Sequence, residues 1–240
     1  MKAFKTTLAA LMVAGLMHVS PAAYAGGVKG KVIFGGNADE FKRSRINTAK
    51  DPQCAKAGAI GTYDVIINKK TDPMTLRNVM VYVKGTVAGD HKAPDEPVVL
   101  TQVKCEYDPH VLGVMAGQKL RITNGDETNH NIHFLPKVNE EYNFSQPKKG
   151  MQKDIELVAE DVFKVKCDVH PWMAAYIRVF EHPFYTVTGK DGTFEIKGLP
   201  DGKYTIETWH EKFGTKSAEV TVSGTAAEVD FTYTGKEEGN

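Results

Sequence analysis

Beyond its first nineteen residues the chain has no long apolar run, and it has almost no helical periodicity. The first absence leaves no candidate for a membrane-spanning helix in the body of the chain. The second argues against a helical bundle and against the alternating helices of a parallel α/β sheet. No excess of one charge exists either: 30 Lys and Arg balance 30 Asp and Glu. A basic nucleic-acid binder is thereby excluded, and charge gives no hint of a partner. There is no Cys-x-x-Cys-His haem motif, no glycine-rich phosphate loop and no Ser-His-Asp order, and the carboxylates are scattered without recognisable pairing. Cysteine is scarce, at three residues, and the number is odd.

What is present begins with an export signal. Met1 to Lys5 is basic, Leu8 to Val19 is apolar, and small residues stand at Ala23 and Ala25. This pattern predicts a secretory signal over 1–25, cleaved after Ala25. No Cys follows the cut, so lipid anchoring there is not expected. Cleavage removes Lys2 and Lys5 and no acid, leaving two more acidic than basic residues. The processed chain is expected to be soluble and periplasmic.

Short alternating runs fill the remainder: 28–34, 78–83, 119–123, 162–167, 176–180, 193–196, 204–209, 218–222 and 229–233. Turn signals separate them at Gly35-Gly36, Asn124-Gly125, Asp191-Gly192 and Pro200-Asp201-Gly202. Many short strands so punctuated predict an all-β fold of sandwiches. The polar stretch from Asp39 to Lys56 reads as an elaborated loop or a short helix, and Gly235 to Asn240 as a frayed tail.

Chemistry concentrates at Cys167-Asp-Val-His170-Pro-Trp-Met173 and, upstream, at His130-Asn-Ile-His133. Two imidazoles, a thiolate and a thioether suit a copper ion held by His130, Cys167 and His170 with Met173 as a long axial ligand. Taken singly each has a plainer reading. A Cys-x-x-His fragment is weakly zinc-like, and a Met after an aromatic residue is usually packing. Side chains alternate along a strand, so His130, Ile132 and Phe134 share one face and His133 points the other way. A separate metal site of His133 with His110 or His91 is the minor alternative. If Cys167 is a metal thiolate, Cys54 and Cys105 are free to form a disulfide; three unpaired thiols is the other possibility.

Residues 97–182 resemble a cupredoxin, the blue-copper fold of plastocyanin and amicyanin. The resemblance rests on Ala116-Gly117-Gln118, Asn124-Gly-Asp126, His130-Asn131 and the Cys167 to Met173 loop, whose spacing is most like amicyanin. It implies one type 1 copper, with Asn131 bonding near the thiolate and tying the ligand loops together. It also implies that Pro171 and Trp172 lie beside an exposed edge of His170, as an electron-exit surface. The alternative is that Trp172 packs inward or against the second domain. The flanks, notably residues 187–206, resemble the carboxypeptidase regulatory-like, transthyretin-like sandwich also found in rhamnogalacturonan lyases. Its opening strands would be 30–34 and 78–85. The expected organisation is therefore a discontinuous sandwich of 27–96 and 183–236, with a cupredoxin domain, 97–182, inserted in it. Domains in series are the alternative. Trp209-His210-Glu211 could line a cleft between the two.

The resulting expectation is a non-enzymatic periplasmic protein that cycles Cu(II)/Cu(I) between redox partner proteins, such as a c-type cytochrome or a dehydrogenase. The competing readings are a copper-binding or delivery protein, and a carbohydrate- or protein-binding module with a structural copper.

Overall fold

The computed structural model describes residues 26–237. The export segment expected at 1–25 and the last three residues of the expected tail lie outside the described residues. Strands make up nearly all of the regular structure of the described chain, and the all-β expectation holds.

Four sheets form two layered pairs. One pair is built from the two ends of the chain. Its first sheet is centred on Gly27–Phe34, which pairs with Thr193–Lys197 along its first five residues and with Thr75–Leu76 near its end. Along its length Gly27–Phe34 also runs parallel first to Ala226–Glu228 and then to Phe231–Tyr233. At that change of partner the Val229 carbonyl comes so close to Gly30 that a Cβ would sit 1.8 Å from it, so only glycine fits. The second sheet runs Tyr185–Val187, Met80–Val83, Gly202–His210, Gly214–Val222. Between the two sheets Phe34, Leu76, Val81, Val83, Ile206, Phe231 and Tyr233 are buried in one core.

The middle of the chain forms the second pair. One sheet has the order Asn143–Gln146, His130–Leu135, Asp161–Lys166, Ala174–Phe180, Val111–Met115. Facing it are Gln152–Glu156, Lys119–Asn124, Val98–Val103 and Glu106–Asp108. Leu100, Leu120, Ile122, Ile132, Phe134, Val165 and Ile177 fill the space between. Strand alternation carries both cores: Thr193–Lys197 and Asp161–Lys166 bury every second residue.

Met80–Val83 is buried at all four positions. Val81 and Val83 face the core of their own sandwich, while Met80 and Tyr82 meet Val111 and Phe180 across the seam between the sandwiches. A strand covered on both faces reads as a continuous apolar run. Arg178 lies over the Tyr82 ring, 4.0 Å from its centroid, at the same seam.

The polar stretch after Asp39 carries two helical turns, Ala38–Phe41 and Pro52–Lys56. The second packs away from the sandwich to which residues 27–96 were expected to belong: Cys54 and Ile60 are buried in the core of the middle unit. Residues 54–60 thus pack on the middle unit, whereas Val65 to Val87 return to the core of the chain ends. Apolar Ile60 and the Cys54–Cys105 disulfide draw this segment across.

A candidate metal centre

The hairpin of Asp161–Lys166 and Ala174–Phe180 closes at the pair Lys166↔Ala174, which makes 167–173 its loop. Cys167 N donates to the Met173 carbonyl at 3.3 Å and Met173 N to the His170 carbonyl at 2.9 Å, so the loop folds on itself. On the other side Asp161–Lys166 pairs with His130–Leu135 in the register Lys166↔His133. That register brings the Cys167 sulfur to the backbone N–H of Asn131. The backbone N–H of Asn131, at 3.4 Å, and that of His170, at 3.3 Å, both donate to Cys167 Sγ.

His130, Cys167 and His170 are all buried, and a ligand atom of each lies within 4.8 Å of the others. His130 Nδ1 and His170 Nδ1 face one another at 3.0 Å, and His170 Nδ1 is 3.8 Å from the sulfur. Met173, 1 % exposed, is buried in the same core. The outer nitrogens meet carboxylates: His130 Nε2 lies 2.9 Å from Asp126 Oδ2, and His170 Nε2 lies 3.0 Å from Asp51 Oδ2.

Burial alone would push the Cys167 thiol up. Hydrogen bonding from His130, His170 and the two backbone N–H groups outweighs it, bringing the group down to about 6. Burial pulls both histidines down, but their carboxylate and sulfur neighbours leave each one raised. Protonating both outer nitrogens against the carboxylates would leave two imidazole lone pairs and a thiolate facing one buried space. Only protons or a cation can satisfy them there. The donor set of two nitrogens and sulfur suits copper.

Asn131 uses its side chain as a tie: Oδ1 accepts from Asp168 N at 3.1 Å, and Nδ2 donates to Asn143 Oδ1 at 2.8 Å. His133 points out of the core, between Asp168 and Glu141. His110 pairs with Glu211 and the Ala174 carbonyl, and His91 lies against the Val87 carbonyl. His133, His110 and His91 therefore have separate partners and form no cluster. Trp209 packs on Tyr176 in the seam, and His210 stacks on Phe213.

The exposed imidazole edge expected at His170 is absent. Only 2 % of His170 is exposed, because Cys54 of the Pro52–Lys56 turn and Asp51, which caps it, lie over it. Pro171 is exposed. Trp172 is half-buried; its ring is 5.1 Å from that of His170, and its indole donates to the Cys105 carbonyl at 3.0 Å. Pro171, Trp172 and Met173 form one wall of a cavity of about 300 Å³ that Tyr63, Glu106 and Glu211 line from the other side.

Cys54 and Cys105 are joined in a disulfide, and Cys167 is a free buried thiol. Sequence reasoning gave no role to Asp51 or Asp126. Asp51-Pro52 carried a helix-start signal. Asp126 lies four residues before His130, but nothing in that spacing shows which nitrogen it reaches.

No protein-family model matches the chain, and no curated protein does. Among solved structures it is similar to the copper-containing nitrite reductase of Thermus scotoductus SA-01, with 26 % identity and a TM-score of 0.32 over 40 % of this chain and 25 % of that one. The chain thus spans a quarter of the reductase's length. A purple cupredoxin from Nitrosopumilus maritimus is 21 % identical, with a TM-score of 0.31, over 35 % of this chain and 99 % of its own. A reduced amicyanin variant is 21 % identical, with a TM-score of 0.32, over 42 % and 98 %. Each of these three structures is similar to less than half of this chain.

Proposed function

We propose that the protein is an exported blue-copper electron carrier that holds one ion with His130, Cys167, His170 and Met173. The supporting observation is the convergence of two imidazole Nδ1 atoms and a hydrogen-bonded cysteine sulfur in one buried space. Bound copper supplies a one-electron couple. The chain's part is to present soft and borderline donors together, which both oxidation states tolerate. The N–H groups of Asn131 and His170 hold the thiolate, and the two strand ladders fix both ligand loops. Burial excludes water from the donors, which leaves no open position for a substrate and favours electron transfer over catalysis.

On this reading the sandwich of the chain ends is a regulatory-like scaffold interrupted by the copper unit. The partners are redox proteins of the periplasm, a c-type cytochrome or a dehydrogenase among them. The protein loaded with Cu(II) should be intensely coloured through charge transfer from Cys167 and should cycle reversibly in spectroelectrochemistry. A colourless Cu(II)-saturated protein would overturn the reading. A coloured protein that gives up its ion rapidly to a chelator, with no reversible couple, would favour copper delivery instead.

A further inference from the structure

Two carboxylates stand behind the candidate ligands, one per histidine, and each reaches Nε2 while the two Nδ1 atoms face one another. We propose that Asp51 and Asp126 are positioning residues of the metal centre. Each accepts the Nε2–H of its histidine, fixes the tautomer that leaves Nδ1 free for the ion, and adds negative charge that favours the oxidised state. This rests on the copper reading given above.

Neither carboxylate is placed casually. Asp126 Oδ1 accepts from Lys104 N and its Oδ2 from Cys105 N, both at 2.8 Å. Those two N–H groups converge because Lys104 and Cys105 form a two-residue hairpin turn with φ of 55° and 57°. Successive N–H groups in such a turn make an anion-holding concavity. Asp51 divides its work. Oδ1 accepts from Gln53 N at 2.7 Å and Cys54 N at 3.1 Å, capping the Pro52–Lys56 turn. Oδ2 takes the Thr128 hydroxyl at 2.8 Å and faces His170.

The two carriers are joined covalently. Cys54 lies in the turn that Asp51 caps, and Cys105 lies in the hairpin turn that grips Asp126. One disulfide thus ties together the supports of both carboxylates, and Asp51 is delivered from outside residues 97–182. A carboxylate behind a ligand imidazole fixes its tautomer and raises its basicity, and losing such a partner typically costs 10–100-fold in metal affinity. The oxidised ion carries more charge and should lose more.

The test uses the full chain. In metal-free protein, long-range ¹H–¹⁵N spectra should find Nε2 protonated in both His130 and His170. An unprotonated Nε2 in either would overturn the proposal, whether or not the copper reading stands. In copper-loaded protein, Asp51→Asn and Asp126→Asn should each disfavour Cu(II) relative to Cu(I) about tenfold. That is a rise in midpoint potential of about 59 mV for one electron. Asp51→Ser keeps a helix cap but removes the carboxylate, so it should raise the potential without the stability loss of an uncapped turn. Potentials and Cu(II) spectra unchanged in both Asp51 variants would leave Asp51 only its capping role and overturn the proposal for it. Absence of the thiolate band in the parent protein would instead defeat the copper reading, and the tautomer measurement would still decide the proposal.

Discussion

His130 and His133 are chemically identical and three residues apart, yet strand alternation gives them opposite surroundings. His130 is fully buried beside Asp126 and His170, whereas His133 lies between two surface carboxylates. His130→Ala should therefore abolish the visible copper band, and His133→Ala should leave it largely intact; absorption spectra of the two loaded variants check this. His210 offers a test away from the metal. Burial drives it down to about 4 from an ordinary 6.5, and it stacks on Phe213 while Nδ1 accepts from Lys212 N. Its native pKa lies below its unfolded one, so the unfolded chain binds the proton first. Stability should fall as pH drops from about 6.5 to about 4 and gain no further loss from this group below that. The contribution is about 3 kcal/mol. Urea titrations of metal-free protein at pH 7 and pH 4.5 should show a smaller drop for His210→Gln than for the parent. An equal drop in both would mean that His210 does not titrate in this way.

Among the elements, the short Pro52–Lys56 turn has the largest consequences for its size. It buries Cys54, covers His170 and reaches the opposing hairpin through the disulfide. Replacing Cys54 and Cys105 together by Ser should lower stability by about 2–4 kcal/mol, measured by urea unfolding of metal-free protein. The lesion should also make His170 accessible, read as faster loss of copper to a chelator. The strands themselves were legible because their residues alternate, as in Thr193–Lys197 and Asp161–Lys166. Residues 51–56 were less so. An Asp-Pro pair signals a helix start, but five residues carry no periodicity that would say which unit the turn packs on. Trp172 was ambiguous for a similar reason. Whether it faces solvent depends on the Cys105 carbonyl to which its indole donates, and that carbonyl lies 67 residues away in sequence.

For the molecule as a whole, the two chain ends are interdependent. Gly27–Phe34 supplies the partner of Thr193–Lys197, Ala226–Glu228 and Phe231–Tyr233. A fragment of 183–240 should not fold alone, since it would leave three strands without their common neighbour. A well-dispersed, cooperatively unfolding fragment would contradict this. A fragment of 97–182 should fold but lose copper to a chelator faster than the full chain, because it lacks Asp51, Cys54 and Ile60. The sequence by itself determined what is local. Period-two burial made the strands, and the loop from Cys167 to Met173 brings its donors together because one hairpin closes it. Tertiary structure decided the rest: which faces of Met80–Val83 are covered, what lies over His170, and which carboxylates stand behind the histidines. The physical reason is distance along the chain. Asp51 and His170 are 119 residues apart, and no local pattern encodes a contact made only when two separately formed elements pack.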